Sequence, residues 1–113
     1  SLGRRAALLQ ADLADEREVR ALVPAAFKAL GRLDCLVNNA SRFEVDDAAS
    51  TGYRSLSAHY LTNTAAPVLL ARELASRVGA DAQACVVNLL DQKLFNPNPD
   101  FLAYTLSKSA LAA

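Results

Sequence analysis

Two periods of hydrophobic patterning alternate along this chain. Short, nearly continuous apolar runs occur at "AALLQ" (6–10), "LDCLVNN" (33–39) and "ACVVNLL" (84–90). Runs of this length that do not alternate with polar residues read as strands buried on both faces. Between them the apolar positions recur every three or four residues. Val19, Leu22, Val23, Ala26, Phe27 and Leu30 form one helical stripe. Tyr53, Leu56, Tyr60, Thr64, Val68, Ala71, Leu74 and Val78 form a second, longer one. Asp15 and Glu18 have the spacing of a capping box before the first helix, and Gly31 and Gly79 are placed to stop the two helices. A third helix begins near Phe101, after the polar loop "DQKLFNPNPD".

The predicted order is therefore strand, helix, strand, helix, strand, helix. Apolar strands separated by helices predict an α/β fold with a parallel sheet covered on both faces. In such sheets ligands bind beyond the carboxyl ends of the strands. Polar residues fall at those ends: Asp12 after the first strand, Asn38 and Asn39 after the second, Asp91 after the third. A site is expected there.

Composition narrows the class. At 113 residues the chain is at most one domain. It is 52% hydrophobic and 21% charged, which is globular rather than disordered. Twelve basic residues balance twelve acidic ones, so no net field draws nucleic acid or an anionic membrane. No apolar run approaches the ~18 residues of a membrane span. The N-terminal apolar stretch breaks at Asp12, unlike a signal peptide, and a cytoplasmic location is expected. Cys35 and Cys85 each lie in an apolar run and read as buried, reduced thiols. No His or Cys cluster has metal-ligand spacing, and no internal repeat is visible.

Several residues have two readings. Tyr104 and Lys108 are one helical turn apart, either an ordinary amphipathic pair or a phenol whose pKa a neighbouring ammonium lowers. Pro67 has no N–H for the carbonyl of Asn63, which leaves either a tolerated kink or a free acceptor for water or ligand. "NNAS" (38–41) is either a plain turn or a strand end that admits a ligand. Asp12 either begins a turn or accepts from an amino group. Phe43 is a satellite core residue or a surface on which a flat ring stacks. His59 reads as a helix-surface residue.

"ADLAD", "LVNNAS", Asn63, the "VVN" strand and "YTLSK" occur in the order and approximate spacing of the short-chain dehydrogenases/reductases, which this chain resembles along nearly its whole length. The resemblance implies a Rossmann-type doubly wound sheet that binds a nicotinamide cofactor. It makes Tyr104 the catalytic acid, with Lys108 lowering its pKa and holding the nicotinamide ribose. Asn63 would anchor a proton-relay water through the carbonyl that Pro67 frees. Asp12 would contact the adenine, and Leu13, Asn39, Ala40 and Ser41 would line the cofactor cleft.

Two positions depart from the family pattern. Asp91 stands where a serine is usual, thirteen residues before the tyrosine, and Ser41 replaces the glycine of NNAG. With Phe43, both changes resemble the pteridine-reductase branch, which includes dihydromonapterin and dihydrofolate reductases. There the aspartate and tyrosine act together in protonating the pterin ring, and the phenylalanine stacks on it. A carboxylate suits ring nitrogens that must be hydrogen-bonded, whereas a serine suits a simple carbonyl.

The family's glycine-rich phosphate loop has no counterpart among the four glycines, Gly3, Gly31, Gly52 and Gly79. By resemblance residues 1–113 are expected to be the central β-α-β-α-β-α portion of one Rossmann-type domain, and not to bind NADPH tightly or turn over alone. The expected function is an NADPH-dependent reductase of a pterin-like small molecule, oligomeric as a dimer or tetramer. NADH stays open, because the residues that read the 2′-phosphate lie upstream. The other readings are a carbonyl/alcohol oxidoreductase and a non-catalytic Rossmann-like binding protein.

Overall fold

The computed structural model describes residues 3–113. The first helix, α1 (Glu16–Leu30), starts where its sequence signals place it. The Asp15 carboxylate accepts the backbone N–H groups of Arg17 (2.9 Å) and Glu18 (3.3 Å). Only this half of the anticipated capping box forms, since the Asp15 N–H goes to the Asp12 carbonyl instead. Glu16 and Glu18 in the first turn and Lys28 in the last complement the helix dipole. Gly31, at φ 86°, ends the helix and donates its N–H to the Phe27 carbonyl.

Pro24 lies inside α1 and removes one helical N–H, which typically costs about 3 kcal/mol. Burial offsets this. Val19 and Val23 are enclosed with Ala66 and Leu70, and each buried side chain of that size contributes about 1.5–3 kcal/mol.

Two strands, β1 (Cys35–Asn38) and β2 (Cys85–Asn88), pair in parallel, with Cys35 opposite Cys85 and Asn38 opposite Asn88. A crossover of helices connects them, as the patterning predicts. The expected strand at 6–10 does not form: the described residues contain only this two-stranded sheet, and Leu8 is 98% exposed. A strand exists by pairing, and no described segment supplies a ladder to 6–10.

The expectation of full cover is likewise met only in part. Leu36 packs on the α1/α3 core, whereas Val37, Val86 and Val87 remain open. For the same reason Cys35 and Cys85 are exposed rather than buried. They are reduced, as expected, and the Cys35 pKa is raised by desolvation first and by its neighbour Cys85 second.

The long helical stripe divides into three. Helix α2 (Tyr53–Tyr60) passes into one π-helical turn (Leu61–Ala65) and then into α3 (Ala66–Arg77). Pro67 explains the change of pitch: it cannot donate to the Asn63 carbonyl, so the ladder widens just before it, and the Ala66 N–H reaches back to Leu61. Helix α4 (Leu102–Ala112) packs on α2 and the π turn. Tyr53, Tyr60 and Leu106 on these helices are exposed apolar surface.

Among the described residues no helix is long and apolar enough to cross a membrane, and no cluster could hold a metal ion.

Candidate active site

The carboxyl ends of β1 and β2 meet the first turns of α4. Asn38 and Asn88, paired in register, close the strand ends through an Nδ2–H to Oδ1 hydrogen bond of 2.8 Å. The chain leaves β2 through Leu89 and Leu90 and turns at Asp91. Its Oδ1 accepts the Lys93 N–H at 2.8 Å and so caps a short 3₁₀ turn, Gln92–Leu94. The other oxygen, Oδ2, accepts from the Tyr104 hydroxyl at 2.7 Å. The two residues singled out by their thirteen-residue spacing are thus in direct contact.

The electrostatics of this pair differ from expectation. Tyr104 has its pKa raised to about 12, first by burial, then by its hydrogen bond to Asp91 and that group's charge; Ser41 acts weakly in the opposite direction. Lys108 does not lower it. The Lys108 side chain is buried, its ammonium lies 5.9 Å from the Tyr104 ring centroid, and it donates to the Leu89 carbonyl at 2.8 Å. Burial lowers the Lys108 pKa, against the attraction of Asp91. The Asp91 pKa is lowered, mainly by the Lys93 N–H and next by the Tyr104 hydroxyl. Helical spacing set Tyr104 and Lys108 on one face, but the carbonyl at the strand end captured the ammonium.

Asn63 is 1% exposed and ties three segments together. Its Oδ1 accepts the Arg42 N–H at 2.7 Å, and its Nδ2 donates to the Arg42 carbonyl (2.9 Å) and the Ser107 hydroxyl (2.9 Å). The strand-end loop is therefore held against the π turn and α4. Thr64 adds a bond to the Ser107 carbonyl, and Ser107 donates to the Tyr104 carbonyl. Ser107 is a site residue that motif reading passed over, although it lies inside the quoted "YTLSK".

His59, read from sequence as a surface residue, is fully buried. The loop after β1 folds over that side of α2: the Glu44 N–H donates to His59 Nε2 (3.2 Å), and Nδ1 lies 2.8 Å from the Ser55 carbonyl. An accepting Nε2 and a donating Nδ1 describe the neutral Nδ1–H tautomer.

Phe43 occupies the same loop, 54% exposed. Its ring stacks on Phe101 at 4.2 Å and 8°, and meets Tyr104 edgewise at 4.6 Å. Lys93 places its ammonium 5.1 Å from the Phe101 ring centroid. Phe43 is thus both a packed residue and an open ring surface beside the phenol.

The remaining candidates lie nearby or have structural duties. Asn39, Ala40 and Ser41 are exposed just beyond β1. Asp12 accepts the Ala14 N–H at 2.9 Å and the Asp15 N–H through its carbonyl, the turn reading of that residue. Leu13 packs against the core cluster.

The family description "short chain dehydrogenase" matches residues 1–113, so the chain belongs to that family. The fold is the Rossmann-like α/β fold of these proteins, in part. An uncharacterized oxidoreductase of Escherichia coli K12, YghA, is 30% identical over 96% of this chain and 37% of its own length. The crystal structure of FolM alternative dihydrofolate reductase 1 from Brucella suis, in complex with NADP, is 38% identical with a TM-score of 0.90, over 96% of this chain and 45% of that one. A blue fluorescent protein from a metagenomic library, in complex with NADPH, is 29% identical with a TM-score of 0.85, over 96% and 44%. The chain thus spans less than half the length of these relatives.

Proposed function

We propose that the protein is an NADPH-dependent reductase of a pterin-like substrate, with Tyr104 as proton donor and Asp91 as its partner. The observation that carries this reading is the 2.7 Å hydrogen bond from Tyr104 to a carboxylate at a strand end, beside the exposed ring of Phe43. A flat ring stacked on Phe43 would lie beside both groups. Asp91 would accept from its ring N–H or amino groups, and the phenol would release a proton to a ring nitrogen. With its pKa near 12, the phenol stays protonated at neutral pH and is available to donate.

The residues present fit a nicotinamide cofactor. An ammonium has three donors, and Lys108 spends one on Leu89, leaving two for ribose hydroxyls. Asn39, Ala40 and Ser41 offer open backbone at the adjoining strand end. A bound cofactor of this kind supplies the hydride. The NADP and NADPH held by the solved relatives support the choice of cofactor, and the likeness to a FolM dihydrofolate reductase supports the choice of substrate class. Asn63 and Ser107 would keep the Arg42 loop and α4 in register so that Phe43 and Tyr104 face the same space.

The test is NADPH oxidation by the protein with dihydrobiopterin and, separately, with simple ketones. Faster turnover of the pterin is expected. Turnover of ketones alone would move the protein to the carbonyl reductases, and turnover of neither would defeat the enzymatic reading.

A further inference from the structure

Helix α4 begins without a cap of its own. The residue before it, Phe101, sits in the left-handed region at φ 58°, ψ 46°, and offers no side-chain acceptor to the first turn. The initial N–H groups of any helix need partners, and buried ones left unpaired are costly. They are satisfied here from a distant part of the chain. The Ala103 N–H donates to Asp46 Oδ1 at 3.1 Å, and the Leu102 N–H points to the Asp46 carbonyl at 3.4 Å. The other carboxylate oxygen, Oδ2, accepts from the Ser55 hydroxyl of α2 at 3.0 Å. The Asp46 side chain is buried, three residues after Phe43, and Ala103 immediately precedes Tyr104.

We propose that Asp46 is a positioning residue: by capping α4 from the Phe43 loop, it sets the distance and angle between the Phe43 ring and the Tyr104 hydroxyl. It touches neither substrate nor cofactor. It acts through two short rigid links, one to each side of the site, and its Ser55 bond anchors both to α2. This goes beyond the proposed function and rests on its assignment of Tyr104. Burial by itself would raise the Asp46 pKa, yet the net direction is downward, through Thr51, Ala103 and Ser55. The Thr51 hydroxyl contributes by proximity, since it makes no well-formed hydrogen bond. The carboxylate is thus the form this setting holds.

The experiment compares Asp46→Ala and Asp46→Asn in the protein, following kcat, KM, NADPH affinity and hydrogen exchange at the Ala103 amide. Misplacement of a reacting group by about 1 Å can cost on the order of a hundredfold in rate. Asp46→Ala should lower kcat about tenfold or more, with NADPH affinity within about twofold and Ala103 exchange faster. Asp46→Asn keeps an acceptor for Ala103 and should restore kcat to within about threefold, since the Ser55 hydroxyl can reverse its role and accept. A folded Asp46→Ala protein with unchanged kcat, or an asparagine variant as impaired as the alanine one, overturns the proposal. If the alanine variant does not fold, Asp46→Asn decides alone: a retained kcat with protected Ala103 supports the lock, and a low kcat refutes it. Ala103 exchange also reads the lock without turnover. Failure to reduce any substrate would therefore count against the functional reading, and unchanged exchange in the alanine variant against the lock.

Discussion

The Tyr104 hydroxyl donates to Asp91 at 2.7 Å, a bond that acts on the ionisation of both partners. With burial it raises the phenol's pKa, and after the Lys93 N–H it lowers that of the aspartate, so the aspartate is charged and the phenol neutral. The arrangement therefore stores a proton on the tyrosine rather than presenting a phenolate.

Replacing Tyr104 by phenylalanine should remove the proton donor while leaving the ring packed against Phe43. General acid catalysis contributes roughly 10²–10⁴-fold, so kcat should fall by about that factor with NADPH affinity preserved. Steady-state kinetics and cofactor titration check this. Unchanged turnover would remove Tyr104 from the chemistry.

Asp91→Asn weakens the hydrogen bond and removes the charge that, after burial, raise the Tyr104 pKa. The phenol should then titrate below its present value of about 12, moving towards the ordinary value of 10. The alkaline limb of the rate profile should shift to lower pH. An unmoved limb would show that burial alone sets it. Asp91→Ser should depress pterin reduction more than ketone reduction, because the ring N–H groups lose their carboxylate.

Stability should depend on pH in two windows. The folded-state pKa of Tyr104 is raised, so its contribution is full below pH 10 and is lost as pH rises towards about 12. The folded-state pKa of Asp46 is lowered, so its contribution is present above its ordinary value of 3.8 and is lost as pH falls through the folded value. Thermal melts of Asp46→Asn should lose less stability on acidification than the parent. Equal acid sensitivity would mean that other carboxylates dominate.

Asn63→Ala leaves the Arg42 N–H and carbonyl without their side-chain partner. Each of the three hydrogen bonds lost with the buried Asn63 side chain contributes about 0.5–1.5 kcal/mol. A loss of about 2–4 kcal/mol is therefore expected, measurable by denaturant unfolding. The loss should be larger than for Ser107→Ala, which takes one hydrogen bond from Asn63 and leaves its two bonds to Arg42.

From α1 onward the element order, both strand centres, the end caps of α1 and the grouping of Asp91, Tyr104 and Lys108 were legible in the sequence, because each depends on local spacing. Period 2 or 3.6, a carboxylate before a helix and a glycine after one act within a few residues. Asn63 could be singled out because Pro67 breaks a local rule four residues on. The site's longer-range members could not be found this way. Asp46 lies in "FEVDD", a stretch with no motif, and gains its meaning only from an N–H 57 residues away.

The same limit explains the reversals. His59 has a surface pattern on its own helix, but the loop bearing Glu44 covers it. The 6–10 run has the composition of a strand, yet pairing is a relation between segments, and no described segment pairs with it. Spacing alone brought Lys108 within reach of Tyr104. Tertiary packing gave its ammonium to the Leu89 carbonyl and placed a half-buried carboxylate beside the phenol instead. The sequence by itself determined which groups gather at the carboxyl edge of the sheet. Which group bonds to which, and in what charge state, was decided by distance and burial, which only the folded chain defines.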